Sequence, residues 1–179
     1  MTSTAEPPSA AGDAFASTLV RIADEAGLAP LAARVAAALP RPAFLALEGD
    51  LGAGKTTFVK AVTAAAGIDP ADVVSPTFGL VHEHLGPTAA ILHADMYRLA
   101  GTDELWELGW HEAVSRATWV FVEWPERIAA ALPADRLDVA IEIESPTSRT
   151  LTFTSRGPRH DGVIDALRAV SAASGSPAA

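Results

Sequence analysis

Two short apolar runs without polar interruption, Phe44-Leu45-Ala46-Leu47 and Trp119-Val120-Phe121-Val122, have the form of strands buried on both faces. Elsewhere the hydrophobic positions alternate or recur at helical spacing. Thr18 to Ile22 predicts a short first strand. Leu28, Leu31, Val35 and Leu39 fall on one helical face, with Pro30 tolerable in the first turn and Pro40 and Pro42 ending the helix. A second helix is expected from about Gly54 to Ala66, stopped at Gly67. Phe78 to His84 and Ala89 to Ala94, separated by Gly86-Pro87, predict an antiparallel pair. Thr102 can cap a short helix carrying Leu105 and Leu108, and Glu126 to Leu132 reads as a helix stopped by Pro133. Val139, Ile141 and Ile143, then Leu151 and Phe153 beyond Ser145-Pro146, alternate as a terminal hairpin with one face buried. Asp161 can cap a last helix with Val163, Ile164, Leu167 and Val170 inward. The expected fold is α/β, three layers with a mixed sheet and a C-terminal β-hairpin, in which a ligand sits beyond the carboxyl ends of the parallel strands. One domain over about residues 15–170 is expected. The Ala/Ser/Thr/Pro-rich stretches 1–14 and 171–179 read as tails.

Between the first buried run and the second helix stands Gly49-Asp50-Leu51-Gly52-Ala53-Gly54-Lys55-Thr56, which reads G-x-x-x-x-G-K-T. Its strand-loop-helix setting is the one a phosphate-binding loop requires. The glycines let the backbone curl so that successive N–H groups point at phosphate oxygens. Lys55 can reach the β- and γ-phosphates, Thr56 can offer its hydroxyl to Mg²⁺, and the helix beginning there aims its positive end at the anion. Binding of a nucleoside triphosphate follows.

Such a site also needs a carboxylate for the metal and a group that orients the attacking water. The second buried run ends in Glu123, the form of a Walker B strand with Glu in place of Asp, and Ile91-Leu92-His93-Ala94-Asp95 ends in a second acid. Ser75-Pro76-Thr77-Phe78 lies where such folds place a γ-phosphate sensor, with Pro76 stiffening the turn that presents the two hydroxyls. His82 and His84 share one strand face but lack a third ligand at metal spacing, so a solvated face is expected. Trp106, Trp110 and Trp119 read as packing residues, while Trp124, directly after Glu123, is set apart.

Composition narrows the classes further. The 179 residues suffice for one well-buried core. A formal net charge of −9, with Lys55 and Lys60 the only lysines, disfavours direct binding to a nucleic-acid backbone, so any RNA should be held by another subunit. The chain contains no cysteine, which excludes disulfides and thiolate chemistry. It contains no asparagine or glutamine, so neither the N-K-x-D guanine motif nor a water-positioning glutamine can exist. No run approaches the roughly 18 apolar residues of a membrane span, and a cytoplasmic protein is expected. A small-molecule kinase, with Arg127 and Arg136 as lid residues, and a nucleotide-binding subunit without turnover are the alternatives.

Gly49 to Thr57, Ser75-Pro76-Thr77-Phe78, His93-Ala94-Asp95-Met96-Tyr97-Arg98 and Val122-Glu123-Trp124-Pro125 together resemble, in order and spacing, the TsaE family of small bacterial P-loop ATPases required for threonylcarbamoyladenosine formation on tRNA. The resemblance runs from about Thr18 to Phe153. It implies that Gly52 to Thr57 bind the phosphates of ATP, that Thr56 and Glu123 are Mg²⁺ ligands and that Asp95 is an acid required for hydrolysis. Thr77 is similar to a residue of a nucleotide-sensing switch, and Trp124 to an aromatic beside the nucleotide. The implied partners are TsaB and TsaD homologues, with tRNA reached through the complex and no membrane involved.

Overall fold

The computed structural model describes residues 15–76, 79–99 and 101–174. Among these residues seven strands form one sheet: β1 (Ser17–Ile22), β2 (Ala43–Glu48), β3 (Val81–Leu85), β4 (Ala90–Asp95), β5 (Trp119–Glu123), β6 (Leu137–Ile143) and β7 (Arg149–Ser155). Their spatial order is β1-β7-β6-β2-β5-β4-β3. The two apolar runs are neighbours at its centre, where β2 pairs in parallel with β5 and β6, and β5 with β4. The antiparallel pairs are β3 with β4, β6 with β7, and β7 with β1. The sheet is thus mixed and ends in a C-terminal hairpin.

Among the described residues five α-helices cover the two faces: α1 (Leu28–Ala38), α2 (Lys55–Ala65), α3 (Thr102–Glu107), α4 (Trp110–Arg116) and α5 (Asp161–Ser174). The strand alternation explains the layering. Leu45, Leu47 and Phe121 pack with Leu31 and Val35 of α1, Phe58 and Val62 of α2, and Ile164 of α5. Phe44, Val120 and Val122, the intervening positions, pack on the other face with Leu105 of α3 and Trp110 of α4. Central strands buried on both sides must be apolar at consecutive positions, which is why the two runs lack alternation.

Several local expectations are corrected. Gly101, in extended conformation, occupies the cap position that Thr102 was expected to hold, and Thr102 is the first helical residue. Leu108 is exposed beyond the helix end, leaving Leu105 as its buried anchor. Asp161 does not cap α5: a 3-10 turn at Pro158–His160 runs straight into the helix and gives Asp161 helical dihedrals. The segment after Trp124 is 3-10 over Pro125–Ala131 and leaves helical geometry at Ile128, a fully buried residue. β3 begins at Val81, because a turn at Gly79 and a positive φ of 59° at Leu80 precede it. Among the described residues no helix is long and apolar enough to cross a membrane.

Candidate functional site

The parallel register brings three strand ends level. Leu47 of β2 pairs with Glu123 of β5, and Asp95 of β4 pairs with the same Glu123. The G-x-x-x-x-G-K-T loop leaves β2 at that level and enters α2 at Lys55, so the loop, both acids and the helix N-terminus border one concavity. This cavity of about 300 Å³ is lined by Gly52, Gly54, Lys55, Thr56, Thr57, Ser75, Asp95, Tyr97, Glu123 and Trp124 among others.

The loop's shape depends on its glycines. Gly49 has φ 144°, and a Cβ there would stand 2.5 Å from the carbonyl oxygen of Ile141 on β6. Gly54, at φ 108°, is the last residue before α2. Ala53 is buried inside the loop, whereas Leu51 at its tip is 78% exposed. Behind the loop, Arg149 donates from Nε to Ala53 O at 3.0 Å and from a guanidinium nitrogen to Ser145 O and Ser148 O, joining the loop to the C-terminal hairpin.

Lys55, Asp95 and Glu123 are each only 4% exposed. Lys55 Nζ donates to Gly49 O at 2.6 Å and Asp50 O at 3.0 Å and lies 3.8 Å from the centre of the Trp124 ring. Its burial lowers the ammonium pKa below the usual lysine value, against the opposing pull of Glu123, Asp95, Glu126 and Asp50. Thr56 Oγ donates to Glu123 Oε1 at 2.7 Å. Asp95 accepts from Ser75 Oγ at 3.1 Å and from the Tyr97 backbone N–H at 3.0 Å. Trp124 takes a left-handed conformation, φ 59°, and its ring lies 5.0 Å from that of Tyr97, which borders the cavity on the solvent side. Thr77 lies outside the described residues.

Sequence reasoning gave no site role to three residues. His93, fully buried, has Nε2 2.8 Å from Glu123 Oε1. His84 belongs to the same inner cluster: its ring is 6.4 Å from that of His93 and its Nε2 is buried, so this strand face is not simply solvated. His93 and Tyr97 stood in the sequence only as members of the His93-to-Arg98 motif. No three His, Asp or Glu side chains converge as a metal cage among the described residues. Of the tryptophans, Trp110 and Trp119 are buried as expected, but Trp106 is 44% exposed and stacks on His111. Arg136, the supposed lid cation, is held by Asp138 at 2.7 Å and by Pro133 O.

A second cavity, of about 390 Å³, opens on the other flank of the loop and shares Gly52, Ala53, Gly54 and Thr57 with the site. Ile22, Leu28, Phe58 and Leu151 form its apolar wall, and Asp24, Thr147 and Arg149 contribute polar groups. Nothing local in the sequence marks it, because its wall is assembled from β1, α1, α2 and β7.

A family model for the threonylcarbamoyl adenosine biosynthesis protein TsaE matches residues 22–151. The tRNA threonylcarbamoyladenosine biosynthesis protein TsaE of Bacillus subtilis (strain 168) is 38% identical over 136 residues, covering 75% of this chain and 84% of its own. The protein of the same name from Streptomyces coelicolor is 36% identical over 136 residues, covering 72% and 90% respectively. The crystal structure of Bacillus subtilis YdiB matches with a TM-score of 0.71 at 28% identity, over 89% of this chain and 99% of that one.

Proposed function

Because the chain belongs to the TsaE family, we propose that it serves tRNA threonylcarbamoyladenosine biosynthesis as an Mg²⁺-dependent ATPase, acting beside TsaB and TsaD homologues that hold the tRNA. The observation that carries this reading is the convergence of Lys55, Thr56, Asp95 and Glu123 on one cavity at the level of three parallel strand ends.

The residues fit the ligand. The loop supplies backbone N–H groups and a helix N-terminus for phosphate oxygens, and a hydroxyl and a carboxylate 2.7 Å apart are hard oxygen donors of the kind Mg²⁺ takes. The neighbouring cavity of about 390 Å³ falls within the roughly 300–1,000 Å³ range of small-molecule pockets and reaches Thr57, so it suits the base and ribose. Lys55 would exchange its bonds to Gly49 O and Asp50 O for phosphate oxygens, a charge-assisted pairing in a water-poor site. Bound between Thr56 and Glu123, Mg²⁺ would supply neutralisation of the charge on the phosphate oxygens. Asp95, oriented by Ser75 and by the Tyr97 N–H, is the acid that would align the attacking water. The water oxygen bonds to the γ-phosphorus as the bond to the ADP oxygen breaks, and the water's proton leaves to Asp95 or solvent.

The two acids should separate in experiment. Glu123→Ala is expected to weaken the response of nucleotide affinity to Mg²⁺, and Asp95→Ala to lower turnover with nucleotide still bound. Binding of a non-hydrolysable ATP analogue at graded Mg²⁺, beside ATP turnover alone and with TsaB, TsaD and tRNA, measures both. Loss of Mg²⁺ response in Asp95→Ala and not in Glu123→Ala would exchange the two roles.

A further inference from the structure

Glu123 is oriented from a direction that the acids and the loop do not explain. His93 lies two residues before Asp95 on β4 and pairs in register with Phe121. Its side chain is fully buried, and its Nε2 meets the same oxygen, Glu123 Oε1, that accepts from Thr56 Oγ. An ionised carboxylate can only accept, so Nε2 carries the proton. Nδ1 is buried without a partner. The geometry therefore aims the Nε2 donor at Glu123.

We propose that His93 is the positioning residue of the divalent-cation site: its Nε2–H fixes the Glu123 carboxylate against Thr56, leaving Oε2 outside both hydrogen bonds and directed by them. This rests on the Mg·ATP reading above. Volume alone does not account for the residue. An apolar ring of similar size would fill the space but strip Glu123, itself nearly buried, of one of the two hydrogen bonds on Oε1. Such outer partners fix ligand orientation and typically govern metal affinity by about 10–100-fold.

Because a glutamine amide can place a donor near the position of Nε2 and an asparagine amide nearer that of Nδ1, the two amides separate positioning from packing. The full chain would carry His93→Gln, His93→Asn or His93→Phe, with affinity for adenylyl imidodiphosphate measured by calorimetry at graded MgCl₂ and in EDTA. The Mg²⁺ concentration for half-maximal enhancement should rise about 10–100-fold in the Asn and Phe variants and by no more than about threefold in the Gln variant. Affinity in EDTA should be the same in all four proteins. Equal shifts in the Gln and Asn variants, an unshifted Asn variant, or an EDTA affinity that falls with the Mg²⁺ response would each overturn the proposal. The Gln and Asn pair decides the matter even where the Phe variant fails to fold. A wild type that binds the analogue without regard to Mg²⁺ overturns the cation-site reading itself, and this proposal with it.

Discussion

At Lys55 burial and neighbouring charge pull in opposite directions: desolvation disfavours the ammonium, while Glu123, Asp95, Glu126 and Asp50 favour it. Two carbonyls and the Trp124 face hold the group meanwhile, so the side chain is preorganised but loosely committed. Lys55→Ala should therefore cost at least about tenfold in nucleotide affinity both with Mg²⁺ and in EDTA, since it removes a charge-assisted partner of the phosphates. Thr56→Ala should cost a similar factor only when Mg²⁺ is present, because its hydroxyl bonds Glu123, its partner in the proposed cation site. Calorimetric titration of both variants with and without EDTA checks the contrast, and equal losses in the two buffers for Thr56→Ala would remove it from the cation site. At this scale the sequence was informative wherever one residue type is obligatory. Lys55 and Thr56 could be named from spacing, and Glu123 and Asp95 from apolar runs that end in an acid. His93 was named only as part of a motif, and its contact with Glu123 spans 30 residues of chain with nothing periodic to announce it.

Among the elements, those with a strong period or an unbroken apolar run were legible, and those set by backbone geometry were not. β2 and β5 stood out because each carries an unbroken apolar run, Phe44 to Leu47 and Trp119 to Val122, and α1 because its buried residues recur on one face. The starts of α3 and α5 were misread, since whether Thr102 or Asp161 caps or enters a helix depends on the incoming dihedrals. Gly49 is the junction where such geometry matters most. Gly49→Ala combines a strained positive φ with a Cβ 2.5 Å from Ile141 O, so it should cost roughly 1–3 kcal/mol of stability. Chemical denaturation would show this, and a variant as stable as the wild type would mean that β6 yields freely at that contact. The β3–β4 pair adds a dependence on pH. Burial first, then His93 and His82, lower the pKa of His84, while Asp72 opposes them. The unfolded chain therefore takes up this proton more readily than the folded one. Stability from this source is intact above the unfolded value of 6.5 and declines as pH falls below it toward the folded value. Denaturation at pH 7.5 and pH 5.5 should show a smaller loss in His84→Leu than in the wild type, and parallel losses would exclude His84 as a source.

For the whole molecule, the balance of charge determines what the site can act upon without help. A net charge of −9 with 13 Lys and Arg leaves few cations for a polyanionic backbone. Several of these are already engaged: Lys55 in the loop, Arg149 behind it, Arg136 and Arg156 on Asp138, and Arg116 on Glu83 and Glu112. Under the proposed reading Mg·ATP would meet the loop, Thr56 and Glu123, whereas a chain of this charge has little to offer tRNA directly. We therefore expect weak tRNA binding by the isolated protein and a requirement for it in repeated rounds of modification when TsaB and TsaD homologues are present. Neither Lys55→Ala nor Asp95→Ala should support repeated rounds, because both would impair the proposed nucleotide handling while leaving the TsaB and TsaD homologues unchanged. Filter binding of tRNA to the protein alone, beside multiple-turnover modification with the wild type and each variant, makes the comparison. Tight binding by the isolated chain would show that its few free cations form an RNA surface of their own, and sustained turnover with either variant would detach the cycle from ATP hydrolysis at this site.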